Sequence, residues 1–313
     1  MLIYVIQKIT SLVITLFVII TLTFFIMKAI PGDPFSQEQN MPVEIKQALN
    51  EHYGLNDPLL IQYGKYLISI AQGDLGPSFK YKGRNVNEII QEGLPVSAQL
   101  GFQALIIAMI VGVTLGTIAG LHQHQWQDYT IMTLAVLGIS IPGFLLATFL
   151  QYFIAIKGAL LPVALWKGFS YTILPSLALA ALPIAFITRL TRSSVIDVLQ
   201  QEYVKTARAK GLSHKLIISR HILKNALLPV ITYLGPLSAN ILTGSFVVEK
   251  IFGIPGLGQW MVISVSNRDY TVIMGIAIFY STLLLSAIFV VDLIYRWLDP
   301  RMGLYQQNTI SNK

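Results

Sequence analysis

Few residues of this 313-residue chain have the types and spacing that chemistry needs. His214 and His221 stand seven apart, so they could share one helix face as metal ligands do, but no third ligand accompanies them. His122 and His124 lie two apart in a short polar stretch and read as solvated. Gly253-Ile254-Pro255-Gly256-Leu257-Gly258 is rich in glycine, but it lacks the GK[ST] ending whose lysine and hydroxyl hold phosphate and magnesium. It reads as a turn. There is no HExxH, no GxSxG with a matching histidine and no pair of intramembrane aspartates. With no cysteine, a thiolate nucleophile, a disulfide and cysteine-ligated zinc or iron–sulfur sites are excluded. The expectation is a non-catalytic chain with no nucleotide site, metal or cofactor of its own.

The residues with an unexplained pattern lie in 189–226. Val195, Leu199, Tyr203 and Ala207 recur every four residues, which predicts an apolar stripe on one helix. Gly211 supplies a C-terminal stop, and Ser213 can cap a new start. Leu212, Leu216, Ile217 and Leu223 then continue as a second amphipathic helix up to Lys224-Asn225. Two short helices around a glycine elbow make a rigid knob that fits a groove on a partner. The eight basic residues of this segment could merely hold it on one side of a membrane, but that leaves the Gly-Ser break and the paired apolar faces unexplained.

What positions this knob is a membrane. Hydrophobic residues make up 54% of the chain and charged ones 12%, with mean hydropathy +0.63. Soluble domains carry about 25% charge, so a disordered chain, a coiled coil and almost every ordinary cytosolic enzyme are excluded. A net charge of +7 is what basic loops on one membrane face produce, and nucleic acid is not expected as a partner. Charge-free stretches long enough to cross hydrocarbon, about 20 residues, run over 9–27, 93–127, 129–156, 168–188, 225–248 and 270–291. In the second of these, Leu100–Leu121 is the apolar part. The fold class expected is all-α and polytopic, with six transmembrane helices. The first stretch is too long for a signal peptide and runs into Ile30-Pro31-Gly32-Asp33-Pro34, so it reads as a retained anchor.

Orientation follows from Lys and Arg. With both termini cytoplasmic, twelve basic residues lie inside and four in the short outer loops, although loop 122–129 has none. The organisation is then a transmembrane helix over 1–29, an extracytoplasmic segment over 30–97, a core over 98–292 containing cytoplasmic loop 189–226 and outer loop 249–269, and a cytoplasmic tail over 293–313. Within 30–97, Val43–His52 and Leu59–Gln72 read as short amphipathic helices.

No span interior holds Asp, Glu, Lys or Arg, which weighs against an ion-coupled secondary transporter and a charge-ring channel. Gln103, Gln151, Asn240 and the prolines, Pro175 foremost, have two readings. They bond and pack between helices, or they line a weakly polar passage.

Beside these readings stands a resemblance. Tyr203-Val204-Lys205-Thr206-Ala207-Arg208-Ala209-Lys210-Gly211-Leu212-Ser213, with Arg220-His221 and Asn225-Ala226-Leu227-Leu228-Pro229, resembles the "EAA" loop of binding-protein-dependent ABC importers in its dipeptide/oligopeptide/nickel form. Ile30–Pro34, Tyr53-Gly54-Leu55, Gly73-Asp74-Leu75-Gly76, Phe246–Gly258, Arg268-Asp269-Tyr270 and Asp299-Pro300-Arg301 match the same branch in order. The whole chain is similar to the B-type membrane permease of the oligopeptide importers. Where the general loop begins Glu-Ala-Ala, this chain has Lys205-Thr206-Ala207, so only Ala207 and Gly211 carry over directly.

The resemblance implies a type I ABC importer transmembrane fold in a bacterial cell membrane. It implies a second six-span permease, two P-loop ATPases that hold ATP and magnesium, an extracytoplasmic peptide-binding protein, membrane lipid and an oligopeptide substrate. Tyr203, Thr206, Ala207, Arg208, Gly211, Leu212 and Ser213 would form the coupling interface. Phe252, Gly253, Pro255, Gly256 and Gly258 would form an outer gate or docking element. Dipeptides, murein peptides or a nickel chelate are alternative cargoes. An ATP-independent secondary transporter and a non-transporting scaffold are the readings of a different class.

Overall fold

The computed structural model describes residues 2–30, 47, 54–242 and 246–298. The Pro31–Pro34 turn, the Val43–His52 helix, Tyr53 and Asp299-Pro300-Arg301 lie outside the described residues, the single residue 47 apart. Every named element is a helix. In chain order they are α1 (Leu2–Ala29), α2 (Leu59–Ala71), α3 (Val86–Leu121), α4 (Trp126–Ser140) and α5 (Gly143–Leu150), which runs into a π-helical turn at Gln151–Lys157. Next come α6 (Ser170–Leu199), α7 (Glu202–Ala209), α8 (His214–Leu216), a π-helical Ile217–Ile222 and α9 (Leu223–Ala226). The chain continues with α10 (Leu228–Leu242), α11 (Phe246–Phe252), α12 (Leu257–Asn267) and α13 (Tyr270–Leu298).

Among the described residues, four helices are long and apolar enough to cross a membrane, within α1, α3, α6 and α13. Two bent pairs, α4 with α5 and its π turn (104°) and α11 with α12 (93°), are long and apolar enough only when taken together, so the described residues hold four to six crossings. The stretch 129–156, expected as one span, is therefore broken. Pro142 explains it: the residue before a proline is driven out of the helical region, and Ile141 is extended (φ −87°, ψ 120°). α10 is a shorter apolar helix within 225–248, and 243–245 lie outside the described residues.

α3 and α6 form the axis of the bundle. Gly112, Gly116 and Gly120 repeat every four residues along one face of α3 and are buried. A Cβ on Gly116 would stand 2.5 Å from the Thr188 carbonyl oxygen, and on Gly120 2.7 Å from a Val195 methyl. Only glycine lets the backbones come this close, the packing that lipid-embedded helices favour. α6 runs unbroken through Pro175 and Pro183, both buried. α3 starts at Val86 on a capping box, Asn85 accepting from Asn87 N–H (3.0 Å) and Glu88 from Asn85 N–H (3.2 Å). At 36 residues it is about 54 Å long, far more than hydrocarbon requires, so the boundary expected at 97/98 falls inside one helix. Among the described long helices α1 packs chiefly against α13, with most of its surface left for lipid.

Candidate functional site

The elbow stands at the end of the bundle where α3 finishes. α6 stops at Leu199, and α7 restarts at Glu202 after a break at Gln200-Gln201. The stripe expected on one helix is thus divided between two, and the break moves the register. Val204 and Ala207, not Tyr203, face inward, meeting Val195, Ile217, Ile222 and Ala226, with Leu121 and Leu212 at the edge. Tyr203 is 41% exposed, and its hydroxyl accepts from Asn225 Nδ2 at 2.8 Å, tying α7 to α9.

Gly211 ends α7 in the left-handed conformation (φ +74°). Its N–H donates to Arg208 O (3.0 Å) and Leu212 N–H to Ala207 O (3.3 Å). This pair satisfies the last carbonyls of the helix in a Schellman motif. Ser213 occupies the N-cap position of α8 with extended backbone, but its side chain makes no capping bond. Thr206, Arg208, Lys210, Ser213 and Lys215 are exposed and give the outer face of the knob a basic character. Ala207 is 4% exposed, so its contribution is to the packing beneath.

Below the elbow lies an ion pair that sequence reading missed, having used Asp128 only to mark a span end. Arg192 of α6 donates to Asp128 of α4 in a fork, Nε to Oδ1 at 2.6 Å and Nη2 to Oδ2 at 2.7 Å. Asp128 is 2% exposed and also accepts His124 N–H at 3.1 Å. A carboxylate so enclosed needs its charge matched. The signal was present in the first turn of α4, an acid ahead of a long uncharged run.

At the far end of α3 the segment 249–269, expected as an outer loop, is the bent hairpin of α11 and α12, tucked into the bundle. Its turn is closed by Gly253 (φ +60°), with Ile254 N–H donating to Glu249 O at 2.9 Å. Phe252, Gly256 and Gly258 are buried, Gly253 is half-buried and Pro255 is exposed. The apolar side chains of Phe252 and Ile254 pack with Leu100, Leu174 and Val248, which is why this glycine-rich run is not a surface loop.

Glu249, fully buried, is the centre of the hairpin. Its Oε1 accepts from Ser97 Oγ (2.8 Å), and its Oε2 accepts the N–H groups of Gly258 (2.8 Å) and Gln259 (3.3 Å). Ser97 Oγ in turn accepts Leu257 N–H at 2.9 Å. The orphan donors at the start of α12 are satisfied by a side chain nine residues back and by α3. A Cβ on Gly258 would stand 2.9 Å from both Oε2 and Phe246 Cα, so glycine lets the carboxylate in. Asp269 fastens the next turn the same way, accepting from Ser78 Oγ, Phe79 N–H (3.2 Å) and Val272 N–H (3.4 Å).

Of the residues expected along a passage, Gln103 and Gln151 are engaged in hydrogen bonds. Ser176 Oγ donates to Gln103 Oε1 (3.0 Å), joining α6 to α3. Gln151 Nε2 donates to Val163 O (2.9 Å) and Ile251 O (3.2 Å). Pro175 is buried. Asn240 lies on α10, and its side chain is outside the described residues. Among the described residues no cluster of three or more His, Cys, Asp or Glu could hold a metal.

The described helices form an apolar bundle with a compact basic elbow at one end. Two solved structures share this fold over about two thirds of the chain. The inward-facing MetNI methionine ABC transporter gives a TM-score of 0.57 at 17% identity, over 67% of this chain and 96% of that one. An amino acid ABC transporter with histidines gives 0.53 at 18%, over 67% and 94%.

The chain belongs to the family described as "binding-protein-dependent transport system inner membrane component", matched over residues 112–304, with that family's N-terminal membrane component matched over 1–101. It is similar to the dipeptide transport system permease protein DppB of Bacillus subtilis, 50% identical over 304 residues, 97% of this chain and 99% of that one. The oligopeptide transport system permease protein OppB of Escherichia coli is 43% identical over 304 residues, 96% and 99%. It is therefore a multi-pass protein of the bacterial cell membrane.

Proposed function

We propose that this chain is a non-catalytic membrane subunit of an ATP-driven peptide importer, with six crossings and both termini cytoplasmic. It forms a passage with a second permease and is driven through its elbow by two ATPases that carry ATP and magnesium. A binding protein delivers the peptide from outside. The observation that carries this reading is the elbow: a stiff, exposed, basic knob locked by Gly211 and seated on α3 and α6 through Leu121 and Val195. Force applied there reaches the two axial helices directly, and the Asp128–Arg192 fork extends it to α4. Closure of the ATPases around ATP would then bias the bundle between two packings.

The cargo proposed is a short peptide. Oligopeptides follow from the sequence resemblance, and dipeptides are the second reading, favoured by the relative at 50% identity. Uptake of a labelled dipeptide and a labelled pentapeptide, each competed by the other, separates the two. Uptake should collapse when ATP is depleted with the proton gradient held. Uptake that follows the gradient instead would overturn the reading in favour of a secondary transporter.

A further inference from the structure

Between α1, α2 and the start of α13 lies a cavity of about 190 Å³. It is at the end of the bundle opposite the elbow, and its walls include Phe24, Lys28, Lys65, Tyr66, Phe79 and Tyr270. A single water needs about 10–15 Å³ of such space, so the cavity suits something larger.

Its depth is fixed by how α2 is held. Tyr63 and Thr21 share a hydrogen bond between hydroxyls at 2.7 Å, and the Tyr63 and Tyr66 rings lie 5.3 and 5.5 Å from that of Phe24. Thr21 is eight residues before the end of α1, about 12 Å along its axis. α2 therefore lies beside the last turns of a spanning helix, at the level where hydrocarbon meets headgroups. Its remaining face agrees: Leu60, Ile61 and Ile68 are 75%, 48% and 60% exposed, the apolar side of a helix lying in an interface.

The walls favour an anion. The Lys28 ammonium lies 5.9 Å from the centre of the Phe24 ring, on the last turn of α1. Lys65 is bound to Asp57 at 2.6 Å, so that pair balances and Lys28 leaves an excess of positive charge. The hydroxyls of Tyr66 and Tyr270 are buried without a hydrogen-bond partner among the described residues, a cost that an acceptor oxygen would remove. Burial pushes the Tyr66 phenol above its ordinary value, so it stays an O–H donor.

We propose that this cavity holds the headgroup of one anionic phospholipid, its phosphate at Lys28 and the two phenols and its chains along the apolar face of α2. The lipid would stake α2 and α1 to the bundle through α13. This does not depend on the cargo or on the ATPases.

The test uses the full chain with whatever co-purifies, reconstituted in nanodiscs of mixed phosphatidylglycerol and phosphatidylcholine and examined by native mass spectrometry. One phosphatidylglycerol should be retained in preference to phosphatidylcholine. Lys28→Gln, and Tyr66→Phe with Tyr270→Phe, should each lower that retention about tenfold, the scale of one hydrogen bond to a charged group. Lys28→Arg should keep it, as should Lys157→Gln elsewhere. Equal retention of the two lipids, or no change in either variant, would overturn the proposal. So would displacement of the lipid by inorganic phosphate, since that marks a free-anion site. If Lys28→Gln is recovered poorly, the wild-type preference and the tyrosine variant still decide.

Discussion

Replacing Gly211 by valine strains the elbow without crowding it. The native φ is +74°, and a Cβ there would meet nothing within 4 Å, so the whole effect is backbone strain. An L-residue held in the left-handed region costs about 1–2 kcal/mol, and a β-branched one lies at the top of that range. Relaxing the strain means giving up the Gly211–Arg208 and Leu212–Ala207 bonds, at about 0.5–1.5 kcal/mol each. The cheaper of the two routes sets the penalty, about 1–2 kcal/mol, confined to the elbow, because the clusters that hold α3 to α6 lie elsewhere. Asparagine tolerates the left-handed conformation and should restore much of the function. Gly211→Val should reach the membrane at wild-type levels yet import labelled peptide about tenfold more slowly or worse, since ~1.4 kcal/mol is already a factor of ten. Gly211→Asn should lie close to wild type. If valine is harmless, or asparagine is as damaging as valine, the conformational argument for the elbow is wrong.

Four further substitutions test the packing of the bundle. Asp128→Asn leaves Arg192 without its fork; with the arginine side chain 27% exposed, the loss should be ~1–3 kcal/mol, below that of a fully buried pair, and should lower the melting temperature in detergent. An unchanged melting temperature would make the fork ornamental. Glu249→Ala removes the acceptor of Ser97, Gly258 and Gln259 and should cost about 2–4 kcal/mol, read as loss of protease resistance in the 246–267 hairpin. Resistance equal to wild type would refute the clasp. Gly116→Ala drives a methyl against a backbone carbonyl and should destabilise by about 1–3 kcal/mol, whereas Gly138→Ala, whose nearest neighbour would be 3.5 Å away, should be neutral. Equal melting temperatures for the two would contradict the close approach of α3 and α6.

Much of the architecture could be read from charge spacing, because hydrocarbon excludes charge and the intervals between Lys, Arg, Asp and Glu mark what can cross it. The elbow was legible too, since Gly211 followed by Ser213 has few uses other than ending one helix and starting another. Bends were harder. Pro142 was visible, but hydropathy does not reveal that a run of 28 uncharged residues turns through 104°. The hairpin was missed because glycine and proline in sequence suggest a loop, and burial of Phe252 and Ile254 depends on partners more than seventy residues away. For the same reason Glu249 looked like a boundary: the donors it satisfies come from α12 and from Ser97 on α3. Tyr203 was placed on the inward stripe because the break at Gln200-Gln201 has no proline or glycine to announce it.

The most direct measurement of the central claim is affinity purification of the tagged chain from its own membranes in mild detergent, with mass spectrometry of what accompanies it. A second multi-span permease and P-loop ATPases should be recovered, and Gly211→Val should lose the ATPases while keeping the permease. Recovery of the chain alone in several detergents, or ATPases held equally by wild type and variant, would contradict the claim that the elbow couples this subunit to ATP.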